Sequence, residues 1–384
     1  MPVRVTVLTG FLGAGKTTLL NRLLADPSVT DTAVIVNEFG EAGIDHLLVE
    51  TAKDGVIELS DGCLCCTIRG DLVDTLADLV DRMQTGRVAA LKRVVVETTG
   101  LADPTPILAA LMGHPALVQA YALDGVVAVV DALSGAVNLE TREEARRQVA
   151  VADRIVLTKT DLVVSGADPD DSIDALLALI AAINPRAPIL WGERGEAIAT
   201  RLFDCGLYDP ETKTADVARW LQDEREGAAH PHRHSHHGHD HRHPHDHEHD
   251  HGPRNARHGD IGSFSIRHDA PLPLSAIEAF LDILGETQGR NLLRMKAVVW
   301  TTEDPLRPLV LHGVRGYLHP PARLAAWPDG EAPGSRLVLI GEGLNERIVR
   351  DLFGAFSGRP RIDAPDRAAL LDNPLAIPGL CFGG

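Results

Sequence analysis

The stretch GFLGAGKTT, Gly10–Thr18, lies between the apolar run Val3–Leu8 and a helical leucine pattern at Leu19, Leu20, Leu23 and Leu24. It fits the phosphate-binding pattern G-x-x-x-x-G-K-[ST], with Gly10, Gly15, Lys16 and Thr17 in place. The residue types follow from what a polyphosphate needs. Small residues (Gly10, Gly13, Ala14, Gly15) let successive backbone N–H groups turn inward around the anion. The helix opened by Lys16, Thr17 and Thr18 presents its positive end to the same charge. Lys16 is the candidate point charge on the outer phosphates, and the Thr17 hydroxyl is the candidate Mg²⁺ ligand.

Outward from this loop, residues 1–205 alternate short apolar runs with helical patterns. Strands are expected at Val3–Leu8, Ala33–Asn37, Val56–Leu59, Arg93–Glu97, Gly125–Asp131, Arg154–Thr158 and Pro188–Trp191. Helices are expected at Lys16–Ala25, Asp71–Gln84, Pro104–Met112, Thr141–Ala152 and Ser172–Ile183. Runs such as VVAVV imply burial on both faces, hence an α/β fold with a mostly parallel sheet and helices on each side. In such sheets ligands bind beyond the carboxyl ends of the strands.

Each remaining motif falls at such an end. Asn37-Glu38-Phe39-Gly40-Glu41 places acids within reach of a phosphate-bound Mg²⁺ or a second metal, or forms a solvated Asn/Gly turn. Gly62-Cys63-Leu64-Cys65-Cys66 clusters three thiols. Thiolates select Zn²⁺ or Cu⁺, with Co²⁺ also suited. A redox pair or buried small hydrophobes are the other readings. Three local ligands leave a tetrahedral site open, which suits a metal that must leave again. Glu97-Thr98-Thr99-Gly100 puts an acid where Mg²⁺ is held through water and the attacking water is positioned. Gly100 permits close backbone approach to the terminal phosphate. Thr158-Lys159-Thr160-Asp161 offers a carboxylate that accepts two parallel hydrogen bonds from guanine, which adenine does not present. The expected nucleotide is GTP. His114, in a Gly-His-Pro turn, reads on its own as a surface loop histidine.

Composition bounds the rest. A chain of 384 residues is long for one core, so two domains are expected. A net charge of −17 argues against a nucleic-acid partner. No apolar run reaches the roughly 18–20 residues that span a bilayer, and the first strand begins too early for a signal peptide. Five cysteines, three of them within one tetrapeptide, indicate a reducing, cytoplasmic setting rather than a disulfide framework. Residues 230–251 hold twelve of the eighteen histidines. Such a segment cannot form a core; it reads as a linker, either a weak multi-site metal binder or a solvated spacer. The linker is placed at 206–259. A small α+β domain is expected over 260–384, with strands at Gly262–Arg267, Arg294–Thr301, Leu309–Gly313 and Arg336–Ile340, and helices at Leu274–Leu284 and Leu344–Phe356.

Taken in order, GFLGAGKTT, NEFGE, GCLCC, ETTG and TKTD resemble the CobW-type GTP-binding metallochaperones, a branch of the P-loop GTPases. LLRMKAVVW is similar to a strand of that family's second domain. The resemblance implies a weak GTPase that uses Lys16 and Glu97 in catalysis. It also implies that the protein carries Zn²⁺ or Co²⁺ to a client metalloprotein. The metal is expected chiefly at Cys65 and Cys66, with support from Glu38 and His114. Two rival readings are a metal buffer or sensor working through the histidine tract, and a small-molecule kinase.

Overall fold

The computed structural model describes residues 2–36, 68–163, 173–203, 261–319, 321–328 and 330–358. The first domain opens with β1 (Val3–Gly10), α1 (Lys16–Leu24), β2 (Thr32–Val36) and α2 (Ile68–Gln84). There follow β3 (Arg93–Glu97), α3 (Thr105–Gly113), α4 (Pro115–Ala120), β4 (Tyr121–Asp131), α5 (Gly135–Thr141) and α6 (Glu143–Ala150). It closes with β5 (Arg154–Thr158), α7 (Ile173–Ile183), β6 (Ile189–Trp191) and α8 (Ala199–Leu202). The six strands pair in parallel in the order β2-β3-β1-β4-β5-β6.

The apolar strands alternate between two buried faces. Val94 and Val96 point into one layer with Leu76, Leu108 and Leu111. Val95, between them, points into the other with Leu19, Leu20 and Leu23 of α1. Period-two alternation with both faces apolar requires helices above and below the sheet.

The second domain comprises β7 (Ile261–His268), α9 (Leu274–Gln288), β8 (Leu292–Val299), β9 (Leu309–Val314), β10 (Tyr317–Leu318), β11 (Ala322–Arg323), β12 (Ser335–Glu342) and α10 (Glu346–Phe356). Its antiparallel sheet runs β10-β9-β8-β12-β7, with β11 beside β9. Helix α9 buries Ile277, Phe280, Leu281 and Leu284, the spacing of one helical face. Asn345 caps α10, its side chain accepting the Ile348 N–H at 3.1 Å. Both helices cover one face of this sheet. The other face carries Val298, Val310, Val338 and Ile340 into the same apolar cluster as Leu111, Met112 and Ile180 of the first domain.

One buried charge cluster lies across that junction. Asp153 accepts Arg294 Nη2 at 3.0 Å on both oxygens and Lys296 Nζ at 2.5 Å, and it also accepts the Val126 N–H at 2.9 Å. Burial opposes the Asp153 charge, but Arg294 and Lys296 more than offset it and hold the carboxyl well below the usual range. Lys296 is itself lowered, by burial first and by Arg294. The two directions are compatible because two cations share one carboxylate.

The strand expected at Gly125 begins earlier, at Tyr121, and α4 and α5 are additional short helices. The strand expected at Val56–Leu59 and the tract 230–251 lie outside the described residues.

Candidate functional site

The parallel register brings the strand ends into a row. Leu8 pairs with Glu97, Gly10 with Val129, and Asp131 with Thr158. Gly10, Glu97, Asp131 and Thr158 therefore border one edge of the sheet, where the loop Gly10–Gly15 turns into α1. Gly15 has φ 94°, a left-handed conformation that glycine adopts without penalty, and the helix starts at the next residue. Gly13 and Ala14 complete the turn, and Thr18 is exposed in the first turn of α1. The buried Lys16 folds its ammonium back into the loop, donating to the Gly10 carbonyl at 2.9 Å and the Phe11 carbonyl at 3.2 Å.

Thr17 Oγ1 donates to Glu97 Oε1 at 2.9 Å. A hydroxyl and a carboxylate meeting beside a phosphate-type loop are a hard-oxygen donor set that suits Mg²⁺. Gly100 lies against the loop itself: a Cβ there would sit 2.6 Å from Leu12 N and Leu12 Cδ2. The Leu12 nitrogen is backbone and cannot swing aside. Gly100→Ala is accordingly expected to lower GTP turnover by about ten-fold or more, through displacement of a loop that must be held to within a fraction of an ångström. Steady-state phosphate release from the purified variant checks this.

The TKTD segment is tied to the same loop. Thr158 Oγ1 donates to the Ala14 carbonyl at 2.7 Å. Lys159 adopts a left-handed backbone, φ 58°, and its Nζ donates to Asp131 Oδ2 at 2.6 Å. Glu193, in the turn after β6, accepts the Lys159 N–H at 2.6 Å and Thr160 Oγ1 at 3.1 Å. These contacts shape a 3-10 turn, Thr160–Leu162, that leaves Asp161 exposed at the rim.

His114 is placed apart from this group. Helix α3 begins near the nucleotide edge and runs back along the sheet, so nine residues carry the chain about 13 Å before His114. The exposed His114 borders a cavity of about 450 Å³ with Val73, Asp74, Gly113 and Tyr317. Among the described residues no three His, Cys, Asp or Glu side chains converge to hold a metal. Glu38, Cys63, Cys65 and Cys66 lie outside the described residues.

Asp131, Glu193, Gln148 and Asp103 complete the surroundings and were not anticipated. Asp131 had a readable signal, since it ends the run VVAVVD as Glu97 ends its own strand. The others act through contacts distant in sequence and left none.

Residues 4–191 match the family described as CobW/HypB/UreG, nucleotide-binding domain, and residues 261–357 match the Cobalamin synthesis protein cobW C-terminal domain. The chain is 34% identical over 352 residues to the zinc chaperone YjiA of Escherichia coli strain K12, covering 92% of this chain and 98% of that protein. The chain belongs to the CobW family. A second CobW-family relative, the zinc chaperone CobW of a Sinorhizobium species, is 29% identical over 384 residues, covering 91% and 95% of the two chains. The crystal structure of the Zn(II)-bound YjiA GTPase superimposes with a TM-score of 0.62 at 29% identity, over 93% of this chain and 99% of that one. The CobW-family fold is thus shared across both domains. Among the described residues, no helix is long and apolar enough to cross a membrane.

Proposed function

We propose that this CobW-family protein is a GTP-hydrolysing metallochaperone. It binds Zn²⁺, or Co²⁺ as the next candidate, at Cys63, Cys65 and Cys66 and delivers it to a client metalloprotein in the cytoplasm. The observation that carries the nucleotide half is the 2.9 Å contact between Thr17 and Glu97 at the mouth of the glycine loop. Lys16 and the loop amides bind the phosphates, Thr17 and Glu97 hold Mg²⁺, and Gly100 meets the terminal phosphate. A Mg²⁺ held by Thr17 and Glu97 would supply positive charge against the charge that develops on the phosphate. Glu97 orients the attacking water, and Thr158, Lys159 and Asp161 receive the base. Relatives named zinc chaperones support the choice of cargo.

Two tests follow from this reading. Glu97→Gln keeps the size of the side chain and removes its charge. It should lower kcat by about 10- to 100-fold with little change in GTP affinity, since the loss falls on the transition state. Coupling to cargo is tested by titrating Zn²⁺ or Co²⁺ with GTP, with GDP and without nucleotide. Terminal-phosphate contacts hold such loops until hydrolysis, so the metal should bind tightest with GTP. Equal affinities in all three states would remove the coupling. The histidine tract at 230–251 motivates the rival reading of a metal buffer. Deleting the tract should spare delivery by a chaperone and abolish the capacity of a buffer.

A further inference from the structure

The hairpin β9–β10 of the second domain turns through Arg315 and Gly316, with φ of 49° and 79°. Positive φ at both residues is the ordinary geometry of a two-residue hairpin turn, and here the turn carries a long cationic side chain toward the first domain. Arg315 Nη2 donates to Asp103 Oδ2 at 2.8 Å, and its Nε donates to Thr105 Oγ1 at 2.7 Å. Asp103 lies on the connection from β3 to α3, which leaves Glu97 at the strand end and carries Gly100. Its other carboxylate oxygen accepts the Thr105 N–H at 2.9 Å and Thr105 Oγ1 at 2.6 Å, closing the entry to α3.

The connection is held from the same side at two further points. Arg147 of α6 reaches Asp103 Oδ2 at 3.4 Å and Glu342 of β12 at 2.7 Å, so it bridges the domains. The buried Gln148 Nε2 donates to the Gly100 and Ala102 carbonyls, each at 3.1 Å. The domains are already joined by the apolar cluster and by Asp153. Adhesion therefore does not call for a half-buried arginine at the tip of this hairpin that lands on the connection leading from Gly100 into α3.

We propose that the second domain acts in cis on GTP hydrolysis, with Arg315 as a positioning residue that fixes Asp103 and thereby the segment bearing Glu97 and Gly100. This rests on the reading of Glu97 and Gly100 given above. Fixed geometry at the reacting phosphate raises turnover more than it raises binding, because the advantage is realised in the transition state.

The test uses the full chain. Arg315→Ala should lower kcat for GTP by about ten-fold while its GTP affinity stays within about two-fold of wild type. Arg315→Lys should recover part of the loss, since an ammonium can meet Asp103 but cannot also serve Thr105 in the fork geometry of arginine. Asp103→Asn should lower kcat similarly, and the double variant should be no slower than Asp103→Asn alone, the signature of one shared interaction. Arg350→Ala, on the far helix beside Glu346, serves as control and should leave turnover unchanged. A merely structural role predicts a lower melting temperature with wild-type kcat below it, and that result overturns the proposal. So do multiplicative effects in the double variant. If Glu97→Gln loses turnover and Arg315→Ala keeps it, only the role of the second domain falls. If neither variant changes kcat, the reading of the whole segment falls with it.

Discussion

Asp153→Ala is expected to destabilise the folded chain by about 3–5 kcal/mol, the cost of stripping a buried carboxylate from its partners. Arg294 and Lys296 would then lie side by side with no anion between them, at the junction of the two sheets. The pH dependence separates this from simple loss of packing. The wild-type carboxyl is held below its unfolded value, so its contribution is present above about pH 4 and is lost as pH falls from there. In the variant that acid-dependent component should vanish. At the alkaline end stability again rises with pH, now through Lys296. Burial already lowers Lys296, and without Asp153 the folded state should favour the neutral amine still more strongly. Raising the pH toward that of free lysine should therefore restore part of the variant's stability while giving the wild type less. Urea midpoints across the pH range are the measurement.

Asp161→Asn is expected to shift the ratio of GTP to XTP affinity by about 10³-fold toward XTP. A carboxylate accepts two hydrogen bonds from the guanine edge, whereas an amide must turn one donor toward a donor, leaving polar groups unpaired in the contact. The contacts of its neighbours support the proposed role. Thr158 is anchored to Ala14, Lys159 to Asp131, and the backbone of the turn to Glu193, so Asp161 projects from a fixed platform. Competition binding with GTP, XTP and ATP checks it. Unchanged selectivity would remove Asp161 from base recognition.

What could be read in advance was local, and what could not was distant. The loop Gly10–Thr18, the acid at Glu97 and the Thr158–Asp161 segment each sit where an apolar strand gives way to a turn, and that pattern is contained in a few neighbouring residues. The α+β character of the second domain was legible for the same reason. The early start of β4 was not, because Asp124 looks like a break. Its carboxylate is buried in the strand only because Thr6 donates to it at 2.9 Å and Arg93 pairs with it, and neither partner is near it in sequence. Helices α4 and α5 are too short to carry a periodic signal. Asp103 with Arg315, and Asp153 with Arg294, are tertiary pairs that no spacing announces. His114 was readable as a turn residue, and the structure keeps it there, at the far end of α3.

The apolar cluster common to both domains has a practical corollary for anyone dissecting the protein. Among the described residues, Val298, Val310, Val338 and Ile340 are greasy on a side that Leu111, Met112, Ile180 and their neighbours conceal. A truncated gene would thus yield a sticky half prone to clump, not a tidy miniature. Expressed together as separate polypeptides, the halves hold matching surfaces and have reason to find each other again.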